Sequence, residues 1–244
     1  MKGCRPGRDS RKAKAATLES VNFARAMAGL DPVRFSRKLS ARAQKAALIM
    51  AANRSLSHYP PKSWKCWTQV GAAAAGRSNL ALSYPRMTAG GAIKLYMDDP
   101  GAGNTVVGHR RWVLNPDAEV MGSGLTSTTH ALDVFGPQDK TNADPAWVSW
   151  PTPGWFPAPL EPRGRWSLSS GDADTDFSRA SVVVRRGAKR LPVTTYKPQN
   201  GYAEPTLVFD VDGVKAPGTY RVTVRHIRHA ASATRSYKVR LFQP

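Results

Sequence analysis

Residue types able to run a hydrolysis occur at a handful of places in this chain. Ser78 sits in GRSNL, His58 in LSHYPP, His109 in GHRRW, and Asp98-Asp99 lie shortly before His109. In such chemistry Ser78 would be the nucleophile, His58 or His109 its base, and Asp99 the acid that orients the ring. Against this, GRSNL lacks the second glycine of the G-x-S-x-G elbow. A serine near a helix or turn also commonly spends its hydroxyl on backbone. Asp172, Asp174 and Asp176 spell D-x-D-x-D, but Phe177 stands where a calcium loop needs glycine and Val183 where it needs the closing Glu. A solvated turn is expected there. His226 and His229 fall between two strand-like runs, in a polar hairpin loop.

The elements that must position these residues are legible from period and punctuation. Leu18, Val21, Ala24 and Ala28 recur at helical spacing and stop at Gly29-Leu30. A second helix reads LSARAQKAALIMAA (39–52), capped by Ser40, with a face of small residues suited to packing on a sheet. Asn53 to Ala75 reads as a long connection held down by Trp64, Cys66 and Trp67. A shorter helix covers Gly90 to Met97. Asn104 and Thr105 are expected to cap the helix that carries His109, which must stop by Asn115-Pro116. Val120–Leu125 and Leu132–Phe135 form an antiparallel pair, with Gly122 and Gly124 allowing a bend or the close approach of another backbone.

The order of these pieces (two N-terminal helices, His58, Asn79, then GHR, NP and Gly-x-Gly ahead of ALDVFG) resembles the CAP superfamily. That family covers the cysteine-rich secretory, antigen 5 and pathogenesis-related 1 proteins, and the chain looks most like their bacterial branch. The resemblance spans roughly Thr17 to Gly136 and implies an α-β-α sandwich. It also implies a central cavity where two histidines meet two acids, in some members around a divalent metal. His58 and His109 match the histidine pair. The acid expected before Asn79 is replaced by Ser78, and the second acid falls on Asp98 or Asp99. The implied binding cavity is therefore His58, Ser78, Asn79, Asp98, Asp99 and His109, with zinc a metal that His58 and His109 could hold. Without its first acid the set is degenerate, and a non-enzymatic binding role is expected ahead of a hydrolase using His58, His109 and Asp99.

After Gly136 the composition changes. Residues 139–163 are crowded with proline and tryptophan, as in a stiff connector. Beyond them come six short extended runs: 165–170, 180–186, 191–196, 206–211, 219–224 and 236–242. Such spacing suggests a small β-sandwich, immunoglobulin-like or fibronectin-like. No repeat relates the two halves. The expected architecture is thus α+β: a basic flexible arm over 1–16, a CAP-like domain over 17–138, the connector, and a β-sandwich over 164–244.

Hydrophobic content of 41% with 7 Trp excludes a disordered chain. No apolar run of about 18 residues exists, so no membrane span is expected. The formal net charge of +19 favours anionic partners such as envelope polymers or lipids. Because the charges are scattered and no aromatic series accompanies them, no specific nucleic acid is expected. Arg221, Arg225, Lys238 and Arg240 would share one face if the last two strands pair. A small apolar ligand is a further partner the reading allows. Cys4 and Cys66 are too few for a Cys-only zinc site; they form one disulfide in an oxidising compartment or stay as two thiols. The first 16 residues contain no apolar h-region of a secretory signal. A secreted or envelope location is what the resemblance implies.

Overall fold

The computed structural model describes residues 3–7 and 9–244. They divide into two compact units: Met1–Ala26, Asp31–Tyr96 and Asp117–Asn142, and then Met27–Leu30, Met97–Pro116 and Ala143–Pro244. The fold is α+β.

In the first unit the order is α1 (Arg11–Met27), β1 (Arg34–Phe35), α2 (Arg37–Asn53), α3 (Gln69–Ala75), β2 (Ser78–Leu82), α4 (Ala89–Asp98), β3 (Val120–Leu125) and β4 (Thr129–Asp133). α1 begins at Arg11, so the stretch read as a flexible arm supplies its first turns, and it ends before Gly29 as expected. The arm is also tied down: Cys4 and Cys66 form a disulfide. α2 starts earlier than the sequence suggested. Its cap is Ser36, whose hydroxyl accepts from the Leu39 amide, while Ser40 lies inside the helix and accepts from the Ser123 amide at 3.2 Å. The connection after Asn53 is shorter than expected, because Thr68 caps α3 by accepting from the Gly71 amide at 3.0 Å.

The sheet has the order β1-β3-β4-β2, with β1 parallel to β3 and the rest antiparallel. Helices cover both of its faces, as register shows. Thr129 Oγ1 donates to the Ala47 carbonyl of α2 at 2.7 Å, whereas the next residue, His130, meets Tyr96 of α4 at 3.0 Å. Neighbours on a strand point to opposite faces, so α2 and α4 lie on opposite sides. This is the α-β-α layering that the resemblance implies. Ala43, Ala46, Ala47, Ile49 and Met50 of α2 are fully buried against Leu80 and Ala131. The small helix face lets the backbones meet: a Cβ on Gly124 would lie 2.2 Å from the Gln44 nitrogen, and one on Gly122 2.4 Å from the Leu39 carbonyl carbon. Only glycine fits at either position.

The second unit contains α5 (Gly108–Val113) and nine strands. These are β5 (Trp147–Trp150), β6 (Gly154–Pro157), β7 (Arg165–Ser170), β8 (Ser181–Arg186), β9 (Lys189–Leu191), β10 (Val193–Thr195), β11 (Thr206–Val211), β12 (Gly218–Arg225) and β13 (Thr234–Phe242). They form a four-stranded sheet, β10-β11-β7-β5, and a five-stranded sheet, β6-β13-β12-β8-β9. All pairs are antiparallel except β13 with β6. Trp166 of β7 packs edge-on to Tyr220 of β12 at 5.7 Å, and Trp150 to Phe156 at 5.0 Å, joining the two inner faces through buried rings. The six expected runs are all strands, and the run 191–196 is split between β9 and β10 at Pro192. The Pro/Trp-rich stretch is not merely a connector. It contributes β5 and β6, one to each sheet, because its prolines sit at strand ends and its tryptophans supply the core.

Candidate functional site

The helix bearing His109 is built differently from its sequence reading. A single 3-10 turn covers Ala102–Asn104, and α5 starts only at Gly108, preceded by Val107 in the left-handed region (φ 45). Asn104 therefore does not cap it; its Nδ2 donates to the Pro100 carbonyl at 2.7 Å. The capping group is Asp99, whose side chain is wholly buried and whose Oδ2 accepts from the His109 amide at 2.9 Å. The other carboxylate oxygen, Oδ1, accepts from His109 Nδ1 at 2.7 Å. One aspartate thus closes the helix start and orients the ring. With Nδ1–H donated to a carboxylate, Nε2 is the basic nitrogen of His109, as a general base or a metal ligand requires. The ring is a quarter exposed.

Two arginines hold this helix in the second unit. Arg110 is completely buried, its guanidinium donating to the Met97 and Asp98 carbonyls, to Ser167 Oγ at 2.9 Å and to the Arg165 carbonyl at 2.9 Å. Arg111 donates to the Gln199 and Glu204 carbonyls at 2.9 and 2.7 Å and lies over the Tyr202 ring. Burial lowers both guanidinium groups to about 10, and nearby acids (Asp99 and Asp98 for Arg110, Glu204 for Arg111) oppose that. Neither arginine stands out in the sequence, where GHRRW reads as an ordinary charged helix face.

The remaining expected residues are placed as follows. His58 lies in the first unit, exposed, with its Nδ1 at 2.9 Å from the Ala75 carbonyl. Ser78 and Asn79 are consecutive on β2, so their side chains leave the sheet on opposite faces. The buried Ser78 hydroxyl donates to the Ala74 carbonyl of α3 at 2.7 Å, the backbone role a serine there commonly takes. The Asn79 carbonyl accepts from the Tyr96 hydroxyl at 2.9 Å. Asp98 and Asp99 are both buried in the second unit, and Asp99 is paired with the His109 ring. Among the described residues, no three His, Cys, Asp or Glu side chains gather in a metal-holding group, and no step through a metal is derived.

Two polar groupings went unread in the sequence. His130 is fully buried between Ser123 Oγ (3.1 Å) and the Tyr96 hydroxyl (3.0 Å), and burial lowers its pKa to about 3. This serine–histidine contact is sealed from solvent and serves to satisfy buried polar atoms. Asp133, also buried, lies 3.6 Å from Arg77 and 3.7 Å from Arg42. Burial raises its pKa and the arginines pull it back. A lone carboxylate in ALDVFG, where every other side chain is apolar, was the signal that could have found it.

Residues 18–135 match the family model of CAP, the Cysteine-rich secretory protein family. The chain belongs to the CAP superfamily through that segment, which takes in His58, Ser78, Asn79, Asp98, Asp99 and His109. No curated protein matches the chain at a significant level.

Proposed function

We propose that this is a secreted or envelope-associated CAP-domain protein of the bacterial branch that works by binding, with a degenerate His/acid cavity. The observation that supports this is Ser78. It stands where the resemblance implies an acid, and its buried hydroxyl is committed to the Ala74 carbonyl. The position thus offers neither a carboxylate for acid–base work nor a nucleophile. The disulfide fits an extracellular setting. The exposed His58 and the partly exposed His109, whose ring Asp99 orients, are the residues proposed to contact the ligand, an envelope polymer or a small apolar molecule. Purified protein is tested for saturable binding to cell-wall polymers and to a fatty-acid probe. The reading expects binding to one of them that His58→Ala/His109→Ala weakens, and indifference to both ends it.

A second reading, a hydrolase, is favoured by the 2.7 Å contact between Asp99 and His109, which is the geometry of an oriented base. It would use His109 as the base and Asp99 as the acid that orients it. Turnover of ester or wall substrates that His109→Ala abolishes, with folding intact, decides for it.

A further inference from the structure

The five-stranded sheet of the second unit turns Val184, Val222 and Val239 inward and fully buries them. Its other face carries Arg185, Arg190, Arg221, Arg225, Lys238 and Arg240, all exposed. No acidic side chain lies on these strands, and among the described residues none of the six cations is in an ion pair. Strand register makes the arrangement stronger than a count. Arg190 lies directly opposite Arg185, Arg185 opposite Arg221, and Arg221 opposite Lys238, in an unbroken cross-strand row over four strands. At the ordinary spacing between strands that row is about 14 Å long. Like charges directly opposite each other weaken a sheet, so the row works against folding and is relieved by anions that bind it.

We propose that this face docks on a membrane surface carrying anionic phospholipid headgroups. Two features favour a lipid surface over a polymer strand. The cations spread in two directions: across the strands in the row, and along them to Arg225, four residues beyond Arg221 on β12. A flat array fits many separate headgroups, whereas a strand follows a single groove. The rim also carries Trp155, on the edge strand β6 directly opposite Arg240, 66% exposed, with the Arg240 guanidinium 5.5 Å from its ring centre. An exposed indole beside a cation suits the depth of lipid headgroups, while stacking of successive bases needs a series of aromatics that this face lacks. The face lies outside residues 18–135, so the proposal goes beyond the CAP reading and stands or falls separately.

The test is cosedimentation of the full chain with vesicles of phosphatidylcholine alone, and of phosphatidylcholine and phosphatidylglycerol in equal parts. Binding is expected only to the second, and added salt should release it. Each cation removed should lower partitioning about five-fold, so Arg185→Gln/Arg221→Gln/Lys238→Gln should lower it on the order of a hundredfold. That variant should melt no lower than wild type, since it relieves the like-charge row; if it does not fold, the five-fold loss expected of Lys238→Gln alone carries the test. Trp155→Ala should weaken binding while leaving the salt dependence in place. Equal binding to both vesicles, undiminished binding by the variants, or binding to single-stranded DNA as tight as to anionic vesicles overturns the proposal.

Discussion

Breaking the disulfide between Cys4 and Cys66 should expose how much the first unit depends on its N-terminal segment. The bridge spans a sequence separation of 62. For a loop of that length the chain-entropy model gives a loss of about 14 cal/mol/K, or about 4 kcal/mol at room temperature. Among the described residues before α1, the Asp9 carboxylate accepts from the Leu125 amide at 2.9 Å, and Ser10 caps the helix start. Without the bridge the segment should fray, because two hydrogen bonds offset little of the entropy of ordering it. The assay is guanidinium denaturation of wild type and Cys4→Ser/Cys66→Ser, with amide exchange in α2 as a probe confined to the first unit. The double variant should lose about 4 kcal/mol in that unit, and reductant should bring wild type to the same curve. A loss below about 1 kcal/mol would refute the reasoning, and so would identical curves with and without reductant.

Gly124→Ala should cost about 1–3 kcal/mol or more, read as a lowered melting temperature, because the new methyl meets the α2 backbone at 2.2 Å; an unchanged melt would mean that helix and strand are not in such close contact. Acid should destabilise the first unit through His130. Its folded pKa is about 3 against an ordinary 6.5, so the unfolded chain binds the extra proton, and stability falls as pH drops from about 6.5 towards 3. Asp9 acts in the opposite sense: burial raises it to about 6 from 3.8, so the folded state holds the extra proton and gains stability as pH falls through that window. Melting from pH 7 to 3 should therefore show a net fall that His130→Gln removes, unmasking a rise that Asp9→Asn reduces, buried Asp133 acting in the same sense as Asp9. Asp99→Asn should free His109 to exchange ring tautomers, visible as a shift of its imidazole nitrogen resonances, and should loosen the start of α5, which a nitrogen spectrum identical to wild type would contradict.

Sequence period and punctuation carried most of the fold. The alternation of Tyr237, Val239 and Leu241 with charged residues makes β13 half-buried, and it is so in the structure. Gly122 and Gly124 allowed either a bend or a close backbone approach, and it is the backbone of α2 that comes close. Where the reading slipped, a tertiary contact outweighed a local signal. Asn104-Thr105 look like a helix cap, yet the buried Asp99 carboxylate supplies that function from outside the local run and moves the start to Gly108. Tryptophan and proline between 139 and 163 look like a surface connector, yet Trp147–Trp150 finds a partner in β7. The pairing of Asp99 with His109 was legible only as two residue types near each other, since hydrogen-bond geometry depends on the turn between them. Arg110 and Arg111 carried no signal at all: their carbonyl partners lie as far away as Arg165 and Glu204.

The central claim, binding without turnover, is tested most directly by incubating labelled cell-wall polymer with purified protein and following bound label and released fragments in one sample. The account predicts saturable, reversible retention of polymer that is recovered whole. Fragments that accumulate with time, and cease to do so in His109→Ala, would contradict it.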